Sequence, residues 1–324
     1  MNRSNVFRSV FVRPTVARAC RMPFFAAIAA AIAIGSFGTA AGRAPLIPRL
    51  NGISGYSGQF GPTCNVCHSG GIAPTVTLSG PVYVLKGSTR NYSLLVSGGQ
   101  AVAAGLDVSV DSGTLVASET GTHLDAGEVT HDAPRNVDGN GNALFTFDFV
   151  APKKPKTMTM WASGNSVNLS GTNAGDRSAS TTLSITVVDN LTSFVEFGEA
   201  LAGSGGIEPH LLGVDGPSIG PWSISIEDGL GAAPGLLWVG LATKDVAAFG
   251  GHFYVDLSVQ PWLALPIQLG GTAGTAGDGT LDIQGVDVSA FAPLTIYLQA
   301  TILDAGAIRR IALTNALQMT IESK

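Results

Sequence analysis

The sequence predicts an all-β protein built as two β-sandwich domains behind a short irregular segment. Three observations lead there. Only 13% of the 324 residues are charged while 45% are apolar and 42 are glycine, a balance that suits a turn-rich β-protein. Apolar and polar residues alternate strictly over short runs, and Gly, Asn or Pro interrupts those runs at the spacing of strand-connecting turns. A chain of this length also exceeds one ordinary domain.

The N-terminus has its own composition. Arg3, Arg8, Arg13, Arg18 and Arg21 occur without an acidic residue, the apolar run Pro23 to Phe37 follows, and small residues occupy Gly38 to Gly42. A positive region, an apolar core and small residues predict a secretory signal peptide over 1–41. Gly35, Ser36 and Gly38 interrupt the run too early for an anchor helix, so no membrane span is expected after cleavage. No twin-arginine pair precedes the run, which points to the general secretion route and a periplasmic, cell-surface or extracellular location. Loss of those five arginines takes the formal net charge from −5 to −10, which excludes nucleic acid as a partner class. The one basic cluster, Lys153, Lys154 and Lys156, sits among prolines and reads as a solvated loop.

Residues 42–74 are rich in Gly, Pro and Ser and are expected to be irregular. Strands of the first sandwich, 75–189, are predicted at Val76 to Leu78, Tyr92 to Val96, Leu106 to Val110, Phe145 to Phe149, Thr157 to Ser163 and Thr181 to Val188. Asp189-Asn190 marks the boundary. In the second domain, 190–324, strands are predicted at Trp222 to Ile226, Leu236 to Leu241, Phe253 to Leu257, Leu294 to Ala300 and Leu317 to Ile321. A jelly-roll-like sandwich is expected there, with Gly270 to Gly279 as one long turn or loop.

The irregular segment carries the chemistry. Cys64-Asn65-Val66-Cys67-His68 is a C-x-x-C-H run, the attachment pattern of one covalent c-type haem. Two thiols three positions apart can bond the two vinyl groups of one porphyrin, and the next residue supplies an imidazole as proximal iron ligand. Cys20 falls within the signal peptide, so Cys64 and Cys67 are the only thiols expected in the mature chain, too few for an all-thiolate zinc site. A Cys64–Cys67 disulfide or a thioredoxin-like dithiol is the competing reading, although the expected helix N-terminus and βαβ setting are missing. For a distal iron ligand the first sandwich offers His131, His123, Met158 and Met160, with His131 preferred beside a structural reading of its imidazole. Met158 and Met160 share one strand face and read as core filler. His210 and His252 have no paired ligand in sequence.

Two further patterns read as structural. Asn136 to Asn142 begins like a calcium loop, but Phe147 stands where a bidentate Glu belongs, so an Asn-Gly hairpin turn is expected. Gly216-Pro217-Ser218-Ile219-Gly220 matches G-x-S-x-G, yet the proline spoils a nucleophile elbow.

Several blocks occur in an order that resembles a bacterial family, the choice-of-anchor V domain proteins, whose domain is similar to the reeler domain. They are the cysteine motif with Gly70-Gly71, Thr75 to Pro81, Gly105 to Val110 with Gly113-Thr114-Leu115, Gly127 to His131, Phe145 to Pro152, and Trp161 to Asn168 with Gly175-Asp176. The resemblance covers about residues 55–189. It implies an immunoglobulin-like sandwich displayed outside the cell, preceded by a haem-type motif, and it implies no reaction. The expected function is therefore that of an exported monohaem c-type protein in electron transfer or redox relay, with an unidentified redox partner or cell-envelope component. An adhesive or scaffolding protein clipped by a disulfide is the alternative. A haem enzyme ranks behind both because no acid–base pair accompanies the motif.

Overall fold

The computed structural model describes residues 51–99 and 102–324. The expected signal peptide, with Cys20 and the start of the irregular segment, lies outside the described residues. The chain is all-β, and its only helical pieces among the described residues are short 3₁₀ turns.

The first sandwich holds β1 (Ser69–Gly70), β2 (Thr75–Ser79), β3 (Tyr83–Leu85), β4 (Thr89–Ser97), β5 (Ala103–Val110), β6 (Thr114–Val116), β7 (Thr122–Asp125), β8 (Glu128–His131), β9 (Arg135–Asn136), β10 (Asn142–Val150), β11 (Lys156–Val167) and β12 (Ala174–Val188). One sheet runs β2-β4-β10-β6. The larger runs β1-β12-β11-β5-β8-β7, with β3 also on β12 and β9 also on β5. Period-two alternation decides which face is buried. Phe145, Phe147 and Phe149 of β10 and Tyr92, Leu94 and Val96 of β4 meet Leu106, Val108, Met158, Met160, Ile185 and Val187 of the larger sheet in one core. Each such side chain contributes about 1.5–3 kcal/mol by leaving water. The Tyr92 hydroxyl, buried among them, donates to Pro81 O at 2.7 Å.

β12 ends at Val188 and β13 (Asn190–Phe197) enters the second sandwich. It continues with β14 (His210–Val214), β15 (Gly216–Pro217), β16 (Ser223–Leu230), β17 (Pro234–Gly240), β18 (Thr243–Ala248), β19 (Gly251–Val255), β20 (Trp262–Gln268), β21 (Ala276–Gln284), β22 (Leu294–Leu303) and β23 (Ile311–Ser323). A six-stranded sheet, β15-β13-β23-β22-β17-β20, packs with the three-stranded β14-β16-β21, and β18-β19 form a separate ribbon. Leu211, Trp222, Ile224, Leu298, Leu317 and Met319 are among the residues of its core.

Two local expectations change. The stretch expected as a loop to Gly279 is strand from Ala276 onward. Gly279 stands at a bulge in the β16–β21 pairing, where a Cβ would meet Leu230 O at 2.5 Å, so glycine there serves a close backbone approach and not a turn. The Asn136–Asn142 stretch is a turn but not a hairpin, because β9 belongs to the larger sheet and β10 to the smaller. Asp138 Oδ1 closes it by accepting the Asn140 and Asn142 amides, each at 2.9 Å.

Candidate functional site

β5 is buried on both faces, although its sequence alternates polar and apolar residues. Its inner residues fill the core, and its outer residues Gly105, Asp107 and Ser109 lie under a strap formed by residues 52–71. The strap crosses the strands of the larger sheet in turn. The Gly52 amide donates to His131 O of β8 at 2.7 Å. Ser54, Gly55 and Tyr56 amides donate to the carboxylates of Asp125 (3.0 Å), Glu128 (2.7 Å) and Asp107 (2.7 Å). Ser57 Oγ and Ser109 Oγ are 2.7 Å apart. Farther on, the Cys64 amide lies 3.4 Å from Ser163 Oγ of β11, and Asn65 and His68 reach β12.

The cysteine motif is wound into one tight turn. Cys64–Val66 is 3₁₀, and the Cys67 and His68 amides both donate to Cys64 O, at 3.3 and 3.0 Å. The turn places the two cysteines three positions apart at its start and at its C-cap. Both thiols are free, Cys64 half-buried and Cys67 exposed. Burial pushes the Cys64 thiol up to about 11, with Ser163 opposing the shift through a hydrogen bond.

His68 has a partner that sequence reasoning did not assign. Its Nδ1 is 2.8 Å from Asp176 Oδ2; the imidazole side chain is 32% exposed and the carboxylate 4%. The other oxygen, Oδ1, accepts the Asn168 amide at 2.9 Å, and Asp176 O accepts Gly71 N at 3.1 Å. Asp176 lies in the Gly175-Asp176 block of the resemblance, which was the only signal for it in the sequence. Among the described residues Nε2 of His68 makes no hydrogen bond, and the side chain is partly exposed.

The other candidates separate by face. Met158 and Met160 point into the core, whereas Ser163 of the same strand faces the strap, so both methionines lie on the far side of the sheet from the motif. His131 ends the β5–β8 pairing, with Nδ1 at 3.1 Å from Leu106 N and 3.3 Å from Leu106 O. Its ring lies over Gly105, where a Cβ would meet Cε1 at 2.4 Å. Burial holds its pKa below the ordinary value; the Leu106 hydrogen bond opposes this, and repulsion from His123 and His68 adds to it. His123 Nε2 is 3.1 Å from the Thr130 hydroxyl, and Nδ1 lies 2.9 Å from an Asp132 carboxyl oxygen. In the second sandwich His252 pairs with Asp245 at 2.7 Å, and His210 is exposed on β14. Ser218 is buried and accepts a hydrogen bond from Thr192 at 3.1 Å, with no helix following it.

These residues fit a covalent haem in the chemistry they offer: two free thiols on one turn, then an imidazole whose Nδ1 is held by a carboxylate and whose Nε2 is left without a hydrogen bond among the described residues. Phe60, Val66 and Ile72, within four residues of the motif, are large apolar side chains left exposed. An open recess of 410 Å³ beside the motif is lined by Ser57, Thr63, Trp161 and Thr181. A larger one, 540 Å³, lies in the second sandwich among Glu196, Glu199, Glu208 and His210, apart from the thiols. No three His, Cys, Asp or Glu side chains among the described residues converge to hold a bare metal ion. No helix among them is long and apolar enough to cross a membrane.

No family model and no curated protein matches the chain. Solved structures that it resembles include native alpha-2-macroglobulin from Escherichia coli, spanning domain MG7 to the C-terminus, at 18% identity over 54% of this chain and 25% of that one, TM-score 0.24. Salmonella alpha-2-macroglobulin reacted with methylamine follows at 10% identity over 77% of this chain and 16% of that one, TM-score 0.21. The chain thus spans a quarter or less of those proteins, and likenesses this slight bear neither on its fold nor on its function.

Proposed function

We propose that the chain is an exported monohaem c-type protein of the choice-of-anchor V kind, acting in electron transfer or redox relay outside the cytoplasmic membrane. The observation that carries the reading is the arrangement of Cys64, Cys67 and His68 on one turn, with the imidazole held from behind by Asp176. Cys64 and Cys67 would hold the porphyrin by thioether bonds, and His68 Nε2 would be its proximal iron ligand. A bound haem supplies a one-electron iron couple. The strap fixes the position of the turn on the sheet, and Asp176 fixes the ring orientation. A redox-active dithiol needs a lowered thiol pKa, and burial moves Cys64 the other way.

The test is to express the chain with a cytochrome c maturation system and record its mass and visible spectrum. A mass increment of one haem with a Soret band is expected. An unmodified mass, under conditions that load a control cytochrome, overturns the reading and leaves a pair of binding or scaffolding β-modules clipped at Cys64 and Cys67.

A further inference from the structure

We infer that Asp176 is the positioning residue that makes His68 a strong donor toward iron and so gives the site a low midpoint potential; this rests on the haem reading above.

His68 Nδ1 lies 2.8 Å from Asp176 Oδ2. A carboxylate accepts and cannot donate, so the proton of the neutral ring sits on Nδ1 and the lone pair on Nε2. The carboxylate is held in its own right. The Asn168 amide donates to Oδ1 at 2.9 Å, and the Asp176 backbone carbonyl accepts Gly71 N at 3.1 Å. With the carboxyl side chain 4% exposed, water competes little for the ring proton. The strap is closed down at this point: a Cβ on Gly71 would stand 2.2 Å from Gly175 O. Asp176 is thus held at both carboxyl oxygens, and His68 cannot change tautomer without losing its partner. An imidazole hydrogen-bonded to a buried carboxylate carries more negative charge on its other nitrogen than one bonded to a carbonyl or to water. More donation to the metal favours the ferric over the ferrous state and lowers the potential.

The experiment compares wild type with Asp176→Asn in two forms. In haem-free wild type, nitrogen-15 NMR of His68 should show the proton on Nδ1; a proton on Nε2 overturns the inference without any variant. In haem-loaded protein, Asp176→Asn should raise the midpoint potential and lower the iron–histidine stretching frequency. Unchanged potential and frequency in loaded variant overturn the inference while leaving the haem reading intact. Failure of wild type itself to load beside a control cytochrome overturns both. A variant that does not fold leaves the wild-type NMR measurement as the deciding one.

Discussion

Asn65, in the middle of the cysteine motif, and Ser178 of β12 form a two-way clamp. The Asn65 amide donates to Ser178 O at 3.0 Å, and Ser178 N donates to Asn65 Oδ1 at 3.0 Å. The side chain thereby mimics a neighbouring strand and satisfies both backbone groups of one residue. Asn65→Ala should cost about 1–3 kcal/mol, since two peptide groups lose their partners. Asn65→Asp should not restore stability, because a carboxylate cannot donate to Ser178 O. Urea unfolding checks both; a neutral Asn65→Ala would mean that the clamp contributes nothing.

Gly71→Ala tests how closely the strap is pressed on β12. The added Cβ would meet backbone at 2.2 Å, where no side chain can move aside. The expected result is a cost of about 1–3 kcal/mol and local loosening. Hydrogen exchange at Ser69 and Gly71 should speed up while exchange in β4 and β10 stays slow. Uniformly unchanged exchange would contradict the tight approach.

Asp107 gives stability an alkaline limit. Burial, then the hydrogen bond and charge of Glu128, raise its pKa well above the usual carboxylate range, although the Tyr56 amide opposes this. A folded-state pKa above the unfolded one means stability fully present below about pH 4 and lost as pH rises through the folded value. Asp107→Asn keeps an acceptor for Tyr56 N and adds a donor toward Glu128. At pH 9 the variant should be more stable than wild type by about 1–3 kcal/mol, with the difference shrinking toward acid pH. Parallel urea midpoints for the two proteins from pH 5 to 9 would refute the assignment.

His131 acts in the opposite direction. Its pKa is held below that of an unfolded histidine, so its contribution is intact above about pH 6.5 and lost as pH falls below that value. His131→Gln should therefore lose less stability than wild type between pH 7.5 and 5.5. An equal loss in both proteins would show that the imidazole titrates freely.

Fold class and candidate site are both legible in the residues alone. Period-two alternation placed Phe145, Phe147 and Phe149 on one face and Met158 with Met160 on another strand's inner face, because a strand's two faces are a local property. Cys64, Cys67 and His68 were legible because five adjacent residues carry the whole motif. In the second sandwich β13, β14, β15, β18 and β20 were not legible, and β21 was hidden by Gly277, which takes a positive φ, and by Gly279, which serves a close approach to the Leu230 backbone.

The surroundings of the motif come from long-range packing. Asp176 meets His68 across 108 positions of sequence, and Asp107 is buried because the strap covers a face that alternation alone would leave in water. Alternation tells which residues share a face and is silent on what lies over that face. The covering is set by long-range register between β12, β11, β5 and β8, and through it the sheet's outer side becomes a wall of buried polar groups behind the two thiols.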